Sequence, residues 1–98
     1  MLKNFRCYGM AKELYLECEN IRAKHFVKDQ LMRAALSTVL NLSEGSAKPS
    51  PKERRRFFTM SLASLREVQA ILELGRYETC AAIADRLGAS IYVLIQKL

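Results

Sequence analysis

The stretch SPKERRRFFTMSLASLREVQAILELG, residues 50–75, decides the fold class because it reads as one long amphipathic helix with its start signal attached. Ser50 is a typical N-cap, Pro51 suits the first helical position, and Glu53 completes a capping box. The apolar residues that then recur at helical spacing are Phe58, Leu62, Leu65, Val68 and Leu72. The pattern predicts a helix over residues 51–74.

Three further segments have the same periodicity, and they predict helices over about residues 4–24, 28–44 and 78–97. We expect residues 25–27 to form a turn, and Gly45 and Gly75 to end the second and third helices. Connections of about three to five residues make sequential helices antiparallel. Residues 1–98 therefore predict a single all-α domain, an antiparallel up-down-up-down four-helix bundle.

The composition indicates a globular, basic protein of the cytoplasm. Half of the residues are hydrophobic, and the formal net charge is +6, which favours nucleic acid or an anionic surface as a partner. No apolar run approaches the ~18 residues that span a bilayer, and the N-terminus lacks the pattern of a secretory signal. The three cysteines are widely spaced, which favours buried, reduced thiols over a disulfide or a metal site.

The sequence offers little catalytic chemistry. His25 is the only histidine and falls in the expected turn, where solvent exposure is the better interpretation. No spacing suits a metal site, and no glycine-rich phosphate loop follows a strand. We therefore predict no catalytic residue, no metal and no cofactor, while an enzyme that uses the region around Asn41 and Glu44 stays as a remote alternative.

A polar stripe along helix 2 is the first candidate site. It consists of Gln30, Arg33, Ser37, Asn41 and Glu44. Their spacing of three or four residues places them on one side of the helix. The plain alternative is a solvated face. Such a face usually contains Lys and Glu, whereas this stripe mixes amide, hydroxyl, guanidinium and carboxylate groups, which favours a hydrogen-bond network or an interface.

A basic cluster at the start of helix 3 is the second candidate site. It consists of Lys48, Lys52, Arg54, Arg55 and Arg56. Positive charge at a helix N-terminus opposes the macrodipole, so function can be overriding stability here. The alternative is a solvated helix end whose arginines pair with glutamates. The cluster otherwise predicts phosphate binding, for which arginine side chains and the amides of a helix start are both suited.

The apolar pattern also predicts self-association. Eight apolar residues between Leu31 and Leu42 cover about half the circumference of helix 2, which is more than one bundle core requires. Other apolar residues outside the inward stripes are Leu16, Met60, Leu74, Tyr92 and Val93. Exposed patches of this kind usually mark interfaces.

The middle of the chain resembles a known family. The strings LMRAALS at residues 31–37 and NLSEG at residues 41–45 look like the small bacterial four-helix-bundle proteins encoded in intervening sequences of large-subunit ribosomal RNA genes. The accessory protein of diversity-generating retroelements, which partners a reverse transcriptase, is a related branch. The resemblance implies the four-helix fold, a ring-shaped homo-oligomer (typically a pentamer), no known enzymatic activity, and nucleic acid as a partner.

The leading hypothesis is thus a non-enzymatic, homo-oligomeric bundle that binds RNA or DNA as an accessory factor. The rival hypothesis is a protein-interaction or structural module whose charge serves solubility only. A reverse-transcriptase partner is implied by the resemblance alone.

Overall fold

Four helices make up most of residues 5–98, the part of the chain that the computed structural model describes. Helix α1 spans Phe5–Glu19, α2 spans His25–Ser46, α3 spans Pro51–Gly75 and α4 spans Glu78–Gln96. No strand occurs within these residues, so the predicted all-α class is confirmed. The predicted start of helix 1 at residue 4 lies outside the described residues.

Sequential helices run antiparallel. The hydroxyl of Ser61 on α3 donates to the carbonyl of Thr38 on α2, with 2.7 Å between the oxygens. Farther along α2, Gly45 lies against Phe58, near the start of α3. Higher numbers on α2 thus face lower numbers on α3.

Gln69 on α3 bonds Asp85 on α4, whereas Leu65 lies beside Gly88, so α3 and α4 are antiparallel as well. Ser90, late in α4, contacts Met10, early in α1, and the order is up-down-up-down.

All four helices contribute to one core. The largest apolar side chains that are fully buried are Leu14, Leu31, Leu42, Phe58, Leu65, Leu72, Leu87 and Ile91. The apolar residues that recur at helical spacing from Cys7 onward are also buried, namely Cys7, Ala11, Leu14, Cys18 and Ile21. On α3 four of the five residues predicted to face inward are buried and Leu62 is half-buried, so periodicity identified the inward face of that helix correctly.

The first connection differs from its prediction. Helix α1 ends at Glu19, not near residue 24, and α2 begins at His25, not at Lys28. The N–H of Ile21 bonds to the carbonyl of Cys18 at 3.1 Å, a tightened last turn that leaves Ile21 buried but outside the helix. The periodicity was right about burial and wrong about conformation, because a buried residue in a loop extends an apolar stripe without extending the helix.

Of the two glycines predicted to end helices, Gly75 does so and Gly45 does not. Gly45 is a buried residue inside α2, which continues to Ser46. Gly75 is the last residue of α3, and the left-handed position falls on Arg76, with φ 59°. The N–H of Tyr77 reaches the carbonyl of Leu72 at 3.0 Å in a Schellman arrangement. Close packing explains Gly45, because a Cβ there would lie 2.7 Å from the Phe58 ring.

Candidate functional site

The start of α3, which holds the basic cluster, is capped by Ser50 as predicted, although within residues 5–98 the Ser50 N–H makes no bond to the Glu53 carboxylate, the second half of a capping box. The Ser50 hydroxyl accepts a hydrogen bond from the Glu53 N–H at 3.2 Å and lies 3.2 Å from the Glu53 carboxylate, to which it donates. Pro51 occupies the first turn, as predicted. This cap stabilises a helix start that four cations would otherwise destabilise through the macrodipole.

Two of the five cations in the cluster stabilise the loop before α3. The Lys48 ammonium lies 3.0 Å from the Glu44 carboxylate and 5.0 Å from the centre of the Phe57 ring. The Arg54 guanidinium donates through Nη1 to the carbonyls of Lys48 and Pro49, at 3.0 and 3.1 Å. Lys48 and Arg54 therefore have structural partners that the sequence did not reveal.

The other three cations are exposed to solvent. Lys52 and Arg55 have neither an ion pair nor a side-chain hydrogen bond within residues 5–98, and the Arg56 guanidinium lies 5.4 Å from the centre of the Phe57 ring. No carboxylate neutralises any of these three side chains in that part of the chain. Among the five cations of the cluster, Lys52, Arg55 and Arg56 are therefore the three that bond neither to the loop nor to a carboxylate in residues 5–98.

The polar stripe of α2 divides into three separate groups. At its start, Arg33 donates to the amide oxygen of Gln30, and both residues are exposed. At its end, Glu44 forms the ion pair with Lys48. No hydrogen bond joins Arg33 to Asn41 or Glu44 within the described residues. One continuous network along the stripe is therefore not formed inside the protomer.

The middle of the stripe does form a network, and it reaches α3. The Asn41 amide donates to the Ser37 carbonyl at 2.9 Å and to the Ser37 hydroxyl at 3.1 Å. The Ser37 hydroxyl lies 2.8 Å from the hydroxyl of Ser64 on α3. All three side chains are half-buried. Ser64 was missing from the predicted stripe because it lies on another helix, and a single-helix pattern cannot identify partners across a bundle.

The basic cluster opens onto a cleft that no pattern in the sequence indicates. Helix ends from all four elements surround a partly open cleft of about 950 Å³ at this end of the bundle. Its cations are Arg6, Lys48, Arg54 and Lys97. Arg6 and Lys97 are 91 positions apart, so only the antiparallel topology brings them together. We define the basic end as Arg6, Lys97 and residues 44–56.

Several apolar side chains face solvent, as the pattern predicted. On α2, Leu36 and Leu40 are 43% and 56% exposed, so the broad apolar face does extend beyond the core. The five residues predicted to lie outside the inward stripes are also exposed. Phe26, at 66%, was missed because it was assigned to a turn. Within residues 5–98 no helix combines the length and apolar character needed to cross a bilayer.

The groups most relevant to catalysis or metal binding are dispersed or shielded. His25 lies in the first turn of α2, exposed, with its Nε2 atom 3.2 Å from the Asp29 carboxylate. No group of three or more metal-ligating side chains occurs within residues 5–98. The three cysteines are buried, as predicted, and burial, aided by Cys80, raises the pKa of the Cys18 thiol to about 12. A thiol with that pKa is a poor nucleophile at neutral pH.

Comparison with known families gave one match. A family model described as "23S rRNA-intervening sequence protein" matches residues 3–97. The matched range includes all four described helices, the polar stripe and the basic end. Comparisons with curated proteins and with solved structures gave no match.

Proposed function

Because the chain belongs to the 23S rRNA-intervening sequence protein family, we propose that it is a non-enzymatic helical bundle that assembles with copies of itself and binds nucleic acid through its basic end. In this proposal the protein acts in the cytoplasm as an accessory factor, and RNA or duplex DNA is its ligand. A reverse-transcriptase partner rests on the resemblance alone.

The observation that supports nucleic-acid binding is the exposure of Lys52, Arg55 and Arg56 without carboxylate partners. Cations that are not already paired can replace the counterions of a phosphate backbone at little cost. The surrounding field has the same sign, because the basic end contains seven cations and only two carboxylates, Glu44 and Glu53. A ring of subunits would repeat this charge around its axis and strengthen it.

The surroundings of Phe57 favour contacts with phosphates over stacking with bases. Phe57 is the half-buried aromatic residue beside the exposed cations, and the cations of Lys48 and Arg56 already lie near its ring. A base that stacked on this ring would compete with these two cations for its faces. We therefore expect binding to be nearly independent of sequence and similar for single and double strands.

The observation that supports self-association is the unburied apolar surface of α2 and α3. Leu36 and Leu40 lie one turn apart on α2, and Met60 is 40% exposed on α3, the helix that packs beside it. A small domain gains most from covering such residues with a second copy. The family resemblance favours a cyclic pentamer among the possible assemblies.

The test of nucleic-acid binding is the triple variant K52Q/R55Q/R56Q, with R22Q/K24Q/R86Q as its matched control. Both variants remove three exposed cations, but only the first removes them from the basic end. Labelled RNA and duplex DNA are titrated between about 50 and 200 mM salt, where phosphate contacts weaken steeply. We expect the first variant to lose affinity and to reduce the salt slope by about 2–3, since each phosphate contact contributes about 0.7–0.9.

Two outcomes would favour the rival function, a protein-interaction module. The parent protein could fail to bind either polymer at low salt, or the control variant could lose as much affinity as the test variant. The second result would mean that net charge alone, and not this surface, attracts the polymer.

Assembly is tested independently by light scattering at micromolar concentration. We expect the parent protein to be a stable oligomer and L36S/L40S to dissociate. L16S is the control, because Leu16 is as exposed as Leu40 but lies on α1. A monomeric parent protein would remove this part of the proposal.

A further inference from the structure

We propose that the cleft at the basic end is a binding site for a nucleoside phosphate, either as the free nucleotide or as the phosphorylated end of a strand. The strand-end source rests on the nucleic-acid function proposed above, whereas binding of the free nucleotide does not. The cleft differs from the exposed cations of α3 in its apolar walls and in its charged residues, since Lys52, Arg55 and Arg56 do not line it.

The cleft combines an apolar interior with cations. Side chains that form its walls include Cys7, Phe58, Val93, Leu94 and Leu98. The charged side chains that line it are all cationic, and no aspartate or glutamate is among them. A ligand that fits this lining has one anionic group and one group with an apolar face.

The positive charge of the cleft comes from side chains and not from helix dipoles. The N-termini of α1 and α3 and the C-termini of α2 and α4 all meet at this end, so their partial charges offset one another. The Ser50 cap and the Ser50 carbonyl also occupy the N–H groups of Glu53 and Arg54. An anion here must therefore bind to ammonium and guanidinium groups.

The four cations of the cleft divide into fixed and free groups. Hydrogen bonds from Nη1 to two loop carbonyls fix the Arg54 guanidinium at the wall and leave Nη2 available. Lys48 is occupied by Glu44. Arg6 and Lys97 have no ion pair and no side-chain hydrogen bond within residues 5–98. One fixed guanidinium and two cations without partners suit a phosphate group, because its three terminal oxygens all accept hydrogen bonds.

The size and the polar groups of the cleft favour a nucleoside over a phosphate ion alone. Its volume lies near the upper end of the range of about 300–1,000 Å³ found for small-molecule sites. Within residues 5–98 the Ser90 hydroxyl, half-buried in the cleft, makes only a long contact of 3.8 Å with the Met10 sulfur. That hydroxyl is available to a sugar or base, while the apolar wall can cover a planar face.

The experiment uses AMP as the probe, adenosine and inorganic phosphate as comparisons, and calorimetry of the whole protein as the primary measurement. We expect AMP to bind at least tenfold more tightly than either comparison. R6Q/K97Q should weaken AMP binding at least tenfold, whereas R22Q/K24Q, which removes two cations at the other end, should not. R6Q alone is the second variant should the double variant unfold.

Cys7 provides a readout that locates the ligand. It lines the cleft, whereas Cys18 and Cys80 are buried elsewhere in the core. Bound AMP should slow alkylation of Cys7 and leave the other two thiols unchanged, as read by mass spectrometry. Rates are compared with and without AMP within each variant, because loss of Arg6 changes the charge beside Cys7. Binding of AMP without protection of Cys7 would overturn the assignment to this cleft.

An oligonucleotide with and without a 5′-phosphate distinguishes the two sources. A preference for the phosphorylated strand that R6Q/K97Q abolishes identifies a strand end, and AMP binding without such a preference identifies a free nucleotide. Absence of AMP binding by the parent protein overturns the inference. That result is separable from failure of the proposed function, which K52Q/R55Q/R56Q tests on unphosphorylated polymers. Tighter binding of a fatty-acid anion than of AMP would also overturn the inference.

Discussion

The two ends of the bundle share one topology but differ in charge. The basic end has seven cations and two carboxylates. The opposite end, defined as residues 17–29 and 67–78, has four cations and six carboxylates. The surplus charge of the chain is therefore concentrated at one end, which a net value of +6 does not convey. This difference is what makes the basic end the candidate for an anionic ligand.

Both ends nevertheless close a loop by the same means, a cation that donates to main-chain carbonyls. At the basic end Arg54 bonds the carbonyls of Lys48 and Pro49. At the opposite end the Lys28 ammonium bonds the carbonyls of Glu19 and Ile21, at 2.9 and 2.6 Å. These bonds satisfy main-chain carbonyls of loop residues and, at Glu19, of a helix C-terminus. A cation near a loop can thus be structural, so counting cations overestimates a binding surface.

The two ends also differ in how firmly the aromatic ring beside a glycine is held, and the first prediction tests this with two glycines. We expect G45A to lower the free energy of unfolding by about 2–3 kcal/mol, because the new Cβ would lie 2.7 Å from the buried ring of Phe58. We expect G75A to lower it by less, about 1 kcal/mol. Its Cβ would lie closer still to the Tyr77 ring, but that ring is half-buried and can turn away at the cost of the hydrogen bond from its hydroxyl to the Arg22 carbonyl, and alanine is about 1 kcal/mol better in a helix.

Urea unfolding with an unchanged m-value is the measurement. The double variant G45A/F58L should recover part of the loss as a favourable coupling energy, because leucine vacates the space that the ring occupies. Equal costs at the two glycines would show that both ends are packed alike and would remove this part of the comparison.

Most of the fold could be predicted because apolar periodicity reports burial directly. It identified four helices, their inward faces, the cap at Ser50 and the exposed apolar residues. It could not place the first loop, since Ile21 is buried without being helical. It also could not explain Gly45, because a close approach between α2 and α3 is a property of two helices and not of either sequence alone.

The candidate site was predicted less completely, for a related reason. The basic cluster and the stripe were visible because their members lie close together in sequence. Arg6, Lys97 and Ser64 were not visible, because each joins its group only through tertiary structure. The division of the cluster into paired and free cations was equally hidden, since the partners of Arg54 are main-chain carbonyls that no residue pattern encodes.

The second prediction separates structural from available cations at the basic end. R54Q should lower the free energy of unfolding by about 1–2 kcal/mol, because two charge-assisted hydrogen bonds to the loop are lost. R55Q, one residue later and exposed, should change it by less than about 0.5 kcal/mol. Chemical denaturation of both variants is the measurement. A larger cost for R55Q than for R54Q would reverse the assignment.

The third prediction concerns the network between the ends. N41A should cost about 1 kcal/mol, since its amide bridges the carbonyl and the hydroxyl of Ser37. S43A is the control, because Ser43 is exposed on another side of α2. A double-mutant cycle of N41A with S64A should give a coupling energy of at least about 0.5 kcal/mol if the three side chains act together. Strict additivity would reduce the network to two independent contacts.

The last prediction concerns Cys18, which lies beside Cys80 at the opposite end of the bundle. This prediction has the smallest expected effect. Burial raises the pKa of Cys18 from 9.0 to about 12. The native state therefore keeps the thiol proton at alkaline pH, where the unfolded chain releases it, so stability is lost as the pH rises from about 9 towards 12. The loss from this one group should reach about 0.8 kcal/mol at pH 9.5. The measured quantity is the difference in unfolding free energy between the parent protein and C18A, at pH 7 and at pH 9.5, because the contributions of groups that the two proteins share then cancel. Alanine leaves a cavity whose cost is independent of pH, so the difference at pH 7 reports packing and its decrease at pH 9.5 reports the thiol proton.

C7A is the control, since Cys7 lies at the basic end, where Arg6 opposes the effect of burial on its pKa. Its difference should decrease less than that of C18A, and equal decreases would show that the two ends do not differ in their effect on a buried thiol.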